Sequence, residues 1–292
     1  MEGNDYALTV VIPAYNARDT IAEQIEALAA QQWAEPWEVV LVNNRCTDDT
    51  VEIARSYADR LPRLRVIDAF ARQGAAYALN TGVRAAAAPA VAFCDADDVV
   101  GDGWVAAMSE GLKQHVFVSG PLETKRLNVT PLTRNRPNGQ PTGIQSYTYP
   151  PYLPHAGAGN MGMRRELFDV IGGFDETLET LFETDFCWKA QLRGFSLTPL
   201  PTAVVHVRHR DRVRALLRQA RKYAESDVLL YKRYRPLGMP KLNMRTGIRA
   251  WIDLALGIAD LAKEETRARY LWDLGWRAGR LYGSIRHRVW AL

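Results

Sequence analysis

A chain of 292 residues with 47% hydrophobic and 24% charged residues has the composition of an ordinary globular protein. This composition excludes disordered, collagen-like and disulfide-rich chains. The formal charge of +4 conceals an asymmetry, because residues 1–205 hold 17 basic and 25 acidic residues, whereas residues 206–292 hold 20 and 8. Three scattered cysteines without metal-ligand spacing fit a reducing cytoplasm.

Neither export nor a membrane span is expected. The polar start of the chain, Met1–Asp5, leads into an apolar run that is too short for a signal-peptide core. No apolar run reaches the roughly 18 to 20 residues that cross a bilayer.

The first 95 residues alternate between strand and helix patterns. β-branched and apolar runs predict four buried parallel strands at Leu8–Pro13, Val39–Asn43, Leu64–Ile67 and Ala90–Cys94. Helical periodicity lies between them, with Asp19, Thr20, Thr47 and Asp48 as candidate helix caps and an Ala-rich helix at Ala75–Ala87. This alternation predicts an α/β protein with a doubly wound sheet.

The second half is less regular. From Gly120 to Pro154 the chain is rich in Pro, Asn, Gly, Thr and Tyr, which indicates a long loop that covers a substrate. Two helices are predicted at Arg164–Ile171 and Phe182–Leu192, with Gly172 and Gly173 as a break between them. After His206 nearly everything reads as helix.

Three carboxylates follow the fourth predicted strand directly. Asp95, Asp97 and Asp98 lie where the carboxyl end of a parallel strand places ligands. Like charges this close cost free energy unless a cation neutralises them. By itself the pattern fits a solvated turn that caps the next helix equally well, so both interpretations stay open at this point.

A series of short motifs runs along the chain in a fixed order. The segments are Val10–Asn16, Val42–Asp48, Arg72–Gly74, Asn80–Gly82, Asp95–Asp97, Gly159–Met161, Arg164–Arg165 and Gly172–Asp175. Over about residues 6–210 this order resembles glycosyltransferase family 2. The resemblance implies an inverting transfer from a nucleoside diphosphate sugar by a GT-A fold, a doubly wound, mostly parallel sheet flanked by helices.

The resemblance also implies a division of the chain. Residues 1–209 would form the catalytic domain, with nucleotide-sugar binding in 1–119 and the acceptor and catalytic part in 120–209. A basic helical extension would occupy 210–292.

For the donor, the resemblance implies a binding edge made of several motifs. The implied nucleotide-sugar contacts are Pro13, Ala14, Tyr15, Asn16, Asn43, Asn44, Arg72, Gly74, Asp95, Ala96 and Asp97. Asp95 would face the ribose or the metal, and Asp97 would bind Mn²⁺ or Mg²⁺. This ion would bridge the diphosphate and neutralise charge on the departing nucleotide.

Asn43 stands where the family usually has Asp. An amide accepts one hydrogen bond and donates another, which matches the adjacent N–H and carbonyl of uracil or thymine. We therefore expect a UDP- or dTDP-sugar rather than a GDP-sugar. The alternative is that Asn43 only ends its strand.

The acid-base centre is expected in Leu181–Lys189. Aligned with the family pattern, Glu183 takes the position of the base, Phe182 replaces the preceding acid, and Asp185 is the second catalytic candidate. Glu183 would take the proton of the acceptor hydroxyl in a single inverting displacement. The alternative for both acids is favourable charge in the first turn of a helix. Expected acceptor contacts are Asn160, Glu183 and Trp188.

Histidines complete the expected site. Either His206 or His209 could give an imidazole to the metal, and His206 is favoured because it ends an apolar strand. The metal ligands are thus expected to be Asp95, Asp97 and His206. His155, in the long loop, is expected to face solvent or the acceptor.

The basic extension alternates arginines with aromatics and leucines. Such helices can lie on an anionic membrane surface, so we expect a peripheral position at the inner face of the cell membrane and a lipid-linked, polysaccharide or small hydroxyl acceptor. No nucleic-acid module accompanies the charge, so nucleic acid is not an expected partner. The oligomeric state is not predicted.

Two other functions compete. A non-catalytic scaffold that binds sugar nucleotides or membranes stays open because of the departures at Asn43 and Phe182. A sugar-nucleotide pyrophosphorylase would need a Gly-rich basic loop where Pro13–Asn16 stands. Dehydrogenases and phosphate-loop enzymes are excluded, because neither Gly-x-Gly-x-x-Gly nor Gly-Lys-Ser/Thr follows the first strand.

Overall fold

A seven-stranded sheet forms the centre of the protein. The computed structural model describes residues 6–136, 139–147 and 150–291. The strands of this sheet are β1 (Leu8–Ala14), β2 (Trp37–Asn43), β3 (Leu64–Asp68), β4 (Ala90–Cys94), β6 (Phe117–Ser119), β8 (Asn160–Arg164) and β9 (Thr198–Pro199). Their spatial order is β3-β2-β1-β4-β8-β6-β9.

Parallel pairing dominates this sheet. β3, β2, β1 and β4 run parallel, β8 is antiparallel to β4 and to β6, and β9 is parallel to β6. All seven residues of β2 are buried, as expected for a strand that is covered on both faces. The doubly wound, mostly parallel sheet is confirmed.

Helices cover both faces of the sheet. They are α1 (Ile21–Ala29), α2 (Thr50–Arg55), α3 (Ala75–Ala85), α4 (Trp104–Gln114), α5 (Pro131–Arg134), α6 (Arg165–Ile171) and α7 (Phe182–Leu192). α3 lies close against β1, because a Cβ at Gly82 would overlap Val11. Here the glycine is required by the packing of helix on strand.

A second, smaller sheet has three strands. Its strands are β5 (Val99–Val100), β7 (Leu122–Glu123) and β10 (Val205–His206), in the order β5-β10-β7. β7 and α5 both belong to the segment predicted as a long loop, and Gln145 forms an isolated bridge with His155. The covering segment therefore has structure of its own.

The C-terminal region is helical, as predicted. It holds α8 (Val213–Tyr234), α9 (Met244–Leu256), a 3₁₀ segment (Gly257–Leu261) and α10 (Glu264–His287). α8 and α10 run parallel and close together, since a Cβ at Gly275 would lie 2.9 Å from Ala220 Cβ and one at Gly283 3.1 Å from Val228 Cβ.

The hydrophobic core continues from the sheet into α8. Val228 and Tyr234 belong to the same buried cluster as Phe174, Phe186 and Trp188. The division at residue 209 stays a prediction, and apolar contacts run across it. Among the described helices, none has the length and apolar character needed to cross a bilayer.

Candidate active site

The three aspartates after β4 converge in space. The carboxylate oxygens of Asp95, Asp97 and Asp98 lie within 4.8 Å of one another. Asp97 is exposed, Asp95 is half-buried and Asp98 is buried. Asp98 Oδ1 accepts a 2.8 Å hydrogen bond from the backbone N–H of Arg208. A Cβ at Gly159 would approach Asp95 Oδ2 to 2.5 Å, so a glycine is needed beside this carboxylate.

The negative charges of these three close carboxylates would be stabilised by a bound cation. Burial, followed by the Asp97 carboxylate, raises the pKa of Asp95 to about 7. Burial and both neighbouring carboxylates hold the pKa of Asp98 well above its usual range. Hard oxygen ligands from two or three carboxylates are the set that Mg²⁺ and Mn²⁺ prefer. The residues present therefore fit a divalent ion. Ala96, between them, is buried, and its carbonyl accepts a hydrogen bond from Thr20 Oγ1.

His206 does not join the aspartates. In β10 it lies opposite Val99, and its Nδ1 lies 2.8 Å from Glu123 Oε2 on the other neighbouring strand. The acidic cluster, within the described ranges, comprises the three aspartates without this imidazole. Glu123 engages Nδ1 of His206 and not Nε2, so the expectation that His206 binds the metal stays a prediction. His209 is also engaged, since its Nδ1 lies 2.9 Å from the carbonyl of Thr133.

The motif at the end of β1 is partly exposed and partly structural. Tyr15 exposes 54% of its surface at the carboxyl end of β1, next to the half-buried Pro13. Ala14 is buried, and its carbonyl accepts a 2.9 Å hydrogen bond from the N–H of Asn44. Asn16 has a φ of 49° and its Oδ1 accepts from the N–H of Thr47. Tyr15 is thus the aromatic side chain that this motif exposes.

Asn43 pairs with a carboxylate that the sequence reading missed. Its Nδ2 donates to Asp68 Oδ1 at 2.9 Å, and its Oδ1 accepts from the N–H of Cys46. An amide nitrogen carries two hydrogens, so one remains after the bond to Asp68. The Oδ1 atom of Asn43, which was expected to accept a hydrogen bond from the base, already accepts one from the N–H of Cys46. The exposed carboxylate of Asp68 lies beside it.

Asn44 organises the next loop. Its Nδ2 donates to the carbonyls of Ala69 and Arg72, and its Oδ1 accepts from the N–H of Gly74, all within 2.8 Å. Gly74 has a φ of 150°. The side chain of Asn44 is 4% exposed, so it shapes the loop from inside. Arg72 is half exposed, with its guanidinium 3.8 Å from Glu176.

Glu183 is a buried carboxylate with an unused oxygen. It is 8% exposed, in the first turn of α7, and its Oε2 has no hydrogen-bond partner among the described residues. Burial, with a smaller contribution from the Asp95 carboxylate, raises the pKa of Glu183 to about 7. Buried carboxylates are normally paired with a hydrogen-bond donor. The unpaired Oε2 of Glu183 can therefore accept a hydrogen bond from a bound molecule.

Asp185, two residues further, has the opposite surroundings. Its carboxylate lies 2.6 Å from Lys189 Nζ and 3.5 Å from Arg233, and it accepts a 2.9 Å hydrogen bond from the hydroxyl of Tyr234. The side chain is 1% exposed. These contacts join α7 to α8, and the catalytic role expected of Asp185 stays a prediction.

Two expected acceptor contacts lie inside the protein. Asn160 is fully buried, and its amide bonds to the indole of Trp104 and to the carbonyls of Pro121 and Ala203. Trp188 is also fully buried and donates to the carbonyl of Leu153. Neither side chain presents a surface to an acceptor, so both assignments are corrected.

His155 is buried against the same indole. It is 5% exposed, and its ring lies 6.1 Å from that of Trp188 and 4.8 Å from that of Tyr147. Burial lowers the pKa of His155 to about 4. The expectation that it faces solvent or the acceptor is corrected, because the covering segment folds inward at this point.

A family comparison agrees with this arrangement. The model for glycosyl transferase family 2 matches residues 9–172, which is more than half of the chain. The chain belongs to glycosyl transferase family 2. The match spans the motifs on β1 to β4 and reaches the end of α6, so the Glu183 region lies just beyond it.

Curated relatives of this family 2 chain match over part of their length. An uncharacterized glycosyltransferase, YibD of Escherichia coli K12, is 42% identical over 93 residues, which cover 32% of this chain and 26% of YibD. The UDP-Glc:alpha-D-GlcNAc-diphosphoundecaprenol beta-1,3-glucosyltransferase WfgD of Escherichia coli is 26% identical over 156 residues, covering 53% of this chain and 58% of WfgD. The chain thus spans less than two thirds of these relatives.

Solved structures share the GT-A fold. The mannosyltransferase PcManGT from Pyrobaculum calidifontis, in complex with GDP-Man and Mn²⁺, superposes with a TM-score of 0.64 at 18% identity, covering 95% of this chain and 88% of that one. TarS 1–349 of S. aureus in complex with UDP gives 0.56 at 17%, covering 98% and 93%. At these identities the likeness concerns the fold.

Two side chains near the site of this family 2 protein, Tyr223 and Arg136, were not predicted from the sequence. Burial, and then the charges of the Glu183 and Asp95 carboxylates, raise the pKa of the Tyr223 hydroxyl on α8. The guanidinium of Arg136 lies 4.9 Å from the ring centroid of Trp272 on α10. Their sequence neighbours carry no motif, so only long-range packing reveals them.

Proposed function

We propose that this protein is an inverting glycosyltransferase that moves a sugar from a UDP- or dTDP-sugar to an acceptor hydroxyl, with Glu183 as the base. The observation that carries the proposal is the unpaired buried carboxylate of Glu183, which lies within electrostatic range of the acidic cluster at the end of β4. A sugar placed between them would have its leaving group at the aspartates and its attacking group at Glu183.

The donor would lie along the carboxyl edge of β1 to β4. Asn43 keeps one amide hydrogen and Asp68 offers a carboxylate beside it, so the pair presents a donor next to an acceptor. That pattern complements the adjacent carbonyl and N–H of uracil or thymine. Tyr15 supplies an exposed aromatic face for the base or ribose, and Arg72 a half-exposed charge.

A divalent ion fits this site. Asp95 and Asp97 would hold Mn²⁺ or Mg²⁺, while Asp98 is already bonded to the backbone of Arg208. When bound, the ion supplies positive charge to the departing diphosphate. PcManGT carries Mn²⁺ together with its sugar nucleotide, which supports this choice.

Glu183 would perform the proton transfer. Its carboxylate accepts the proton of the acceptor hydroxyl while that oxygen bonds to the anomeric carbon. The bond from this carbon to the diphosphate oxygen breaks, and its electron pair leaves with the nucleotide. Attack from the face opposite the leaving group inverts the configuration. A pKa of about 7 keeps the base partly ionised and basic enough at neutral pH.

The acceptor would enter past α8 and α10. Tyr223, Arg136 and Trp272 are half-buried there and replace Asn160 and Trp188 as candidate contacts. An aromatic face and a guanidinium suit a sugar hydroxyl carried on a polysaccharide or a lipid diphosphate. WfgD acts on a diphosphoundecaprenol-linked sugar, which supports a lipid-linked acceptor.

A direct test measures nucleotide release. The protein is incubated with UDP-, dTDP- and GDP-sugars, Mn²⁺ or Mg²⁺ and a membrane extract, and the free nucleoside diphosphate is measured. We expect release from a pyrimidine donor, lost in Glu183→Gln and retained in Glu166→Gln, a change at an exposed glutamate of α6. Nucleotide binding without release from any donor would indicate a scaffold, and the proposal would be wrong.

A further inference from the structure

Helix α9 exposes a row of aliphatic side chains. Ile248, Ile252 and Leu256, spaced four residues apart, are 51%, 52% and 78% exposed. The following 3₁₀ segment adds Ile258 at 65% and Leu261 at 41%. These five residues form one stretch of surface, called the α9 patch below. Such a contiguous exposed apolar stretch marks a contact with another phase or molecule.

The inner side of α9 is apolar as well. Gly247 is buried, and Trp251 and Leu254 are half-buried. A surface helix normally turns one apolar side to the protein and a polar side to water. α9 has apolar residues on both sides, so its outer side requires a cover that the chain itself does not provide among the described residues.

Arginines border the patch. Arg245 and Arg249 line the same shallow groove as Ile248, Ile252 and Leu256, and Asp253 is the acidic residue there. No ion pair joins either guanidinium to a carboxylate within the described part of the chain. The surrounding region, residues 206–292, holds 20 basic and 8 acidic residues. Aliphatic side chains bordered by free guanidinium groups match the interface of an anionic bilayer.

The patch lies close to the acceptor side of the candidate active site. The 3₁₀ segment leads directly into α10, whose first residue, Glu264, accepts a hydrogen bond from Asn135 Nδ2 at 3.2 Å. Arg136 follows Asn135 in the chain, and its guanidinium lies 4.9 Å from the ring centroid of Trp272 on α10. α9 and the wall formed by Arg136 and Trp272 are thus joined through the start of one helix.

We propose that the α9 patch docks on an anionic lipid bilayer and presents the active site to an acceptor whose hydroxyl is held in that membrane by a lipid. The part that concerns the acceptor rests on the proposed transferase function. α9 lies in the plane of the interface, with its aliphatic side chains among the acyl chains and Arg245 and Arg249 at the lipid phosphates.

A second copy of the chain fits this surface less well. In a symmetric dimer the same patch meets itself, which brings the Arg245 and Arg249 pairs of both copies, and the two Asp253 carboxylates, into one interface with a net positive charge. Like charges at an interface oppose association, whereas lipid phosphates neutralise them.

Vesicle sedimentation tests the docking. The full chain is mixed with vesicles of phosphatidylcholine alone or with added phosphatidylglycerol. We expect binding to the anionic vesicles only, a loss of about tenfold or more in Ile248→Gln/Leu256→Gln, and a similar loss in Arg245→Gln/Arg249→Gln. Val170→Gln, which alters a 51% exposed aliphatic residue on α6, is the matched control and should bind like the wild type.

Three outcomes would overturn the proposal. The wild type fails to sediment with anionic vesicles, or the patch variants sediment as well as the wild type. Alternatively, light scattering shows a dimer that the patch variants convert to a monomer. Thermal stabilisation by UDP and Mn²⁺ is measured on every variant. If it persists while vesicle binding fails, docking is wrong and the proposed function stands; if it is absent from the wild type, the donor assignment is wrong.

Discussion

The two sides of the candidate active site use their polar side chains differently. Along the sheet edge, the side chains of Asn16 and Asn44 form hydrogen bonds with the backbone of neighbouring loops. On the helical side, Asp185 is surrounded by partners, but Glu183, one helical half-turn away, keeps an oxygen free. Motif side chains whose hydrogen bonds are all formed within the protein hold the loops of the site in place. Those with an unpaired polar atom are available to a substrate.

The largest effect is expected from Glu183→Gln. Removing a base of this kind lowers the turnover rate by roughly 10²- to 10⁴-fold. In the wild type, turnover should rise with pH through about 7, since the base must lose its proton. A pH profile of the initial rate checks this, and an unchanged rate in the variant would show that another group is the base.

The same variant should be more stable than the wild type at high pH. The pKa of Glu183 is near 7 when folded and near 4.5 when unfolded, so the folded state binds the proton more tightly. The free energy of unfolding of the wild type therefore falls by roughly 3 kcal/mol as the pH rises from about 4.5 through 7. Thermal melts of both proteins at pH 5 and pH 8 test this, and equal melting temperatures at pH 8 would contradict it.

The next largest effect concerns the acidic cluster. Asp97→Asn should raise the Mn²⁺ concentration needed for half-maximal activity by about tenfold or more, because a carboxylate ligand is lost. Asp102→Asn, an exposed aspartate close by in the chain, is the matched control. Metal titrations of both variants decide the matter. An unaltered titration for Asp97→Asn would remove this residue from the metal site.

A smaller effect is expected at the base-reading pair. Asp68→Asn should weaken UDP binding about tenfold, the size expected for one hydrogen bond to a charged group. The exposed Asp59, in the 3₁₀ turn before β3, provides the control variant Asp59→Asn. Calorimetric titration with UDP and GDP measures both. If Asp68→Asn and the wild type bound UDP with equal affinity, Asp68 would not contact the base beside Asn43.

The smallest effect on turnover is expected from Asp185→Asn. Its carboxylate bonds to Tyr234 and to two cations, so the variant should lose about 1 to 3 kcal/mol of unfolding free energy. Lys189 and Arg233 are about one third exposed, so water compensates part of the loss. Turnover per folded molecule and its pH profile should be unchanged. A shifted profile with unchanged stability would instead place Asp185 in the catalytic machinery.

The sequence by itself determined the four parallel strands β1 to β4, most of the helices and the location of the acidic cluster. Strands with continuous apolar runs and helices with a regular period are local patterns, and the strand Ala90–Cys94 appears with the predicted bounds. Asp95 and Asp97 follow it directly, so their position at the sheet edge needed no knowledge of distant residues.

Only the tertiary structure decided which polar side chains are free. Trp188 and Asn160 are buried because β8, α7 and the covering segment pack together, and Glu123 of the distant β7 pairs with His206. Asp68 and Tyr223 reach the site from segments with no recognisable motif. Whether a polar side chain is free to bind a substrate depends on hydrogen-bond partners that are distant in the sequence. A local sequence pattern does not predict these partners.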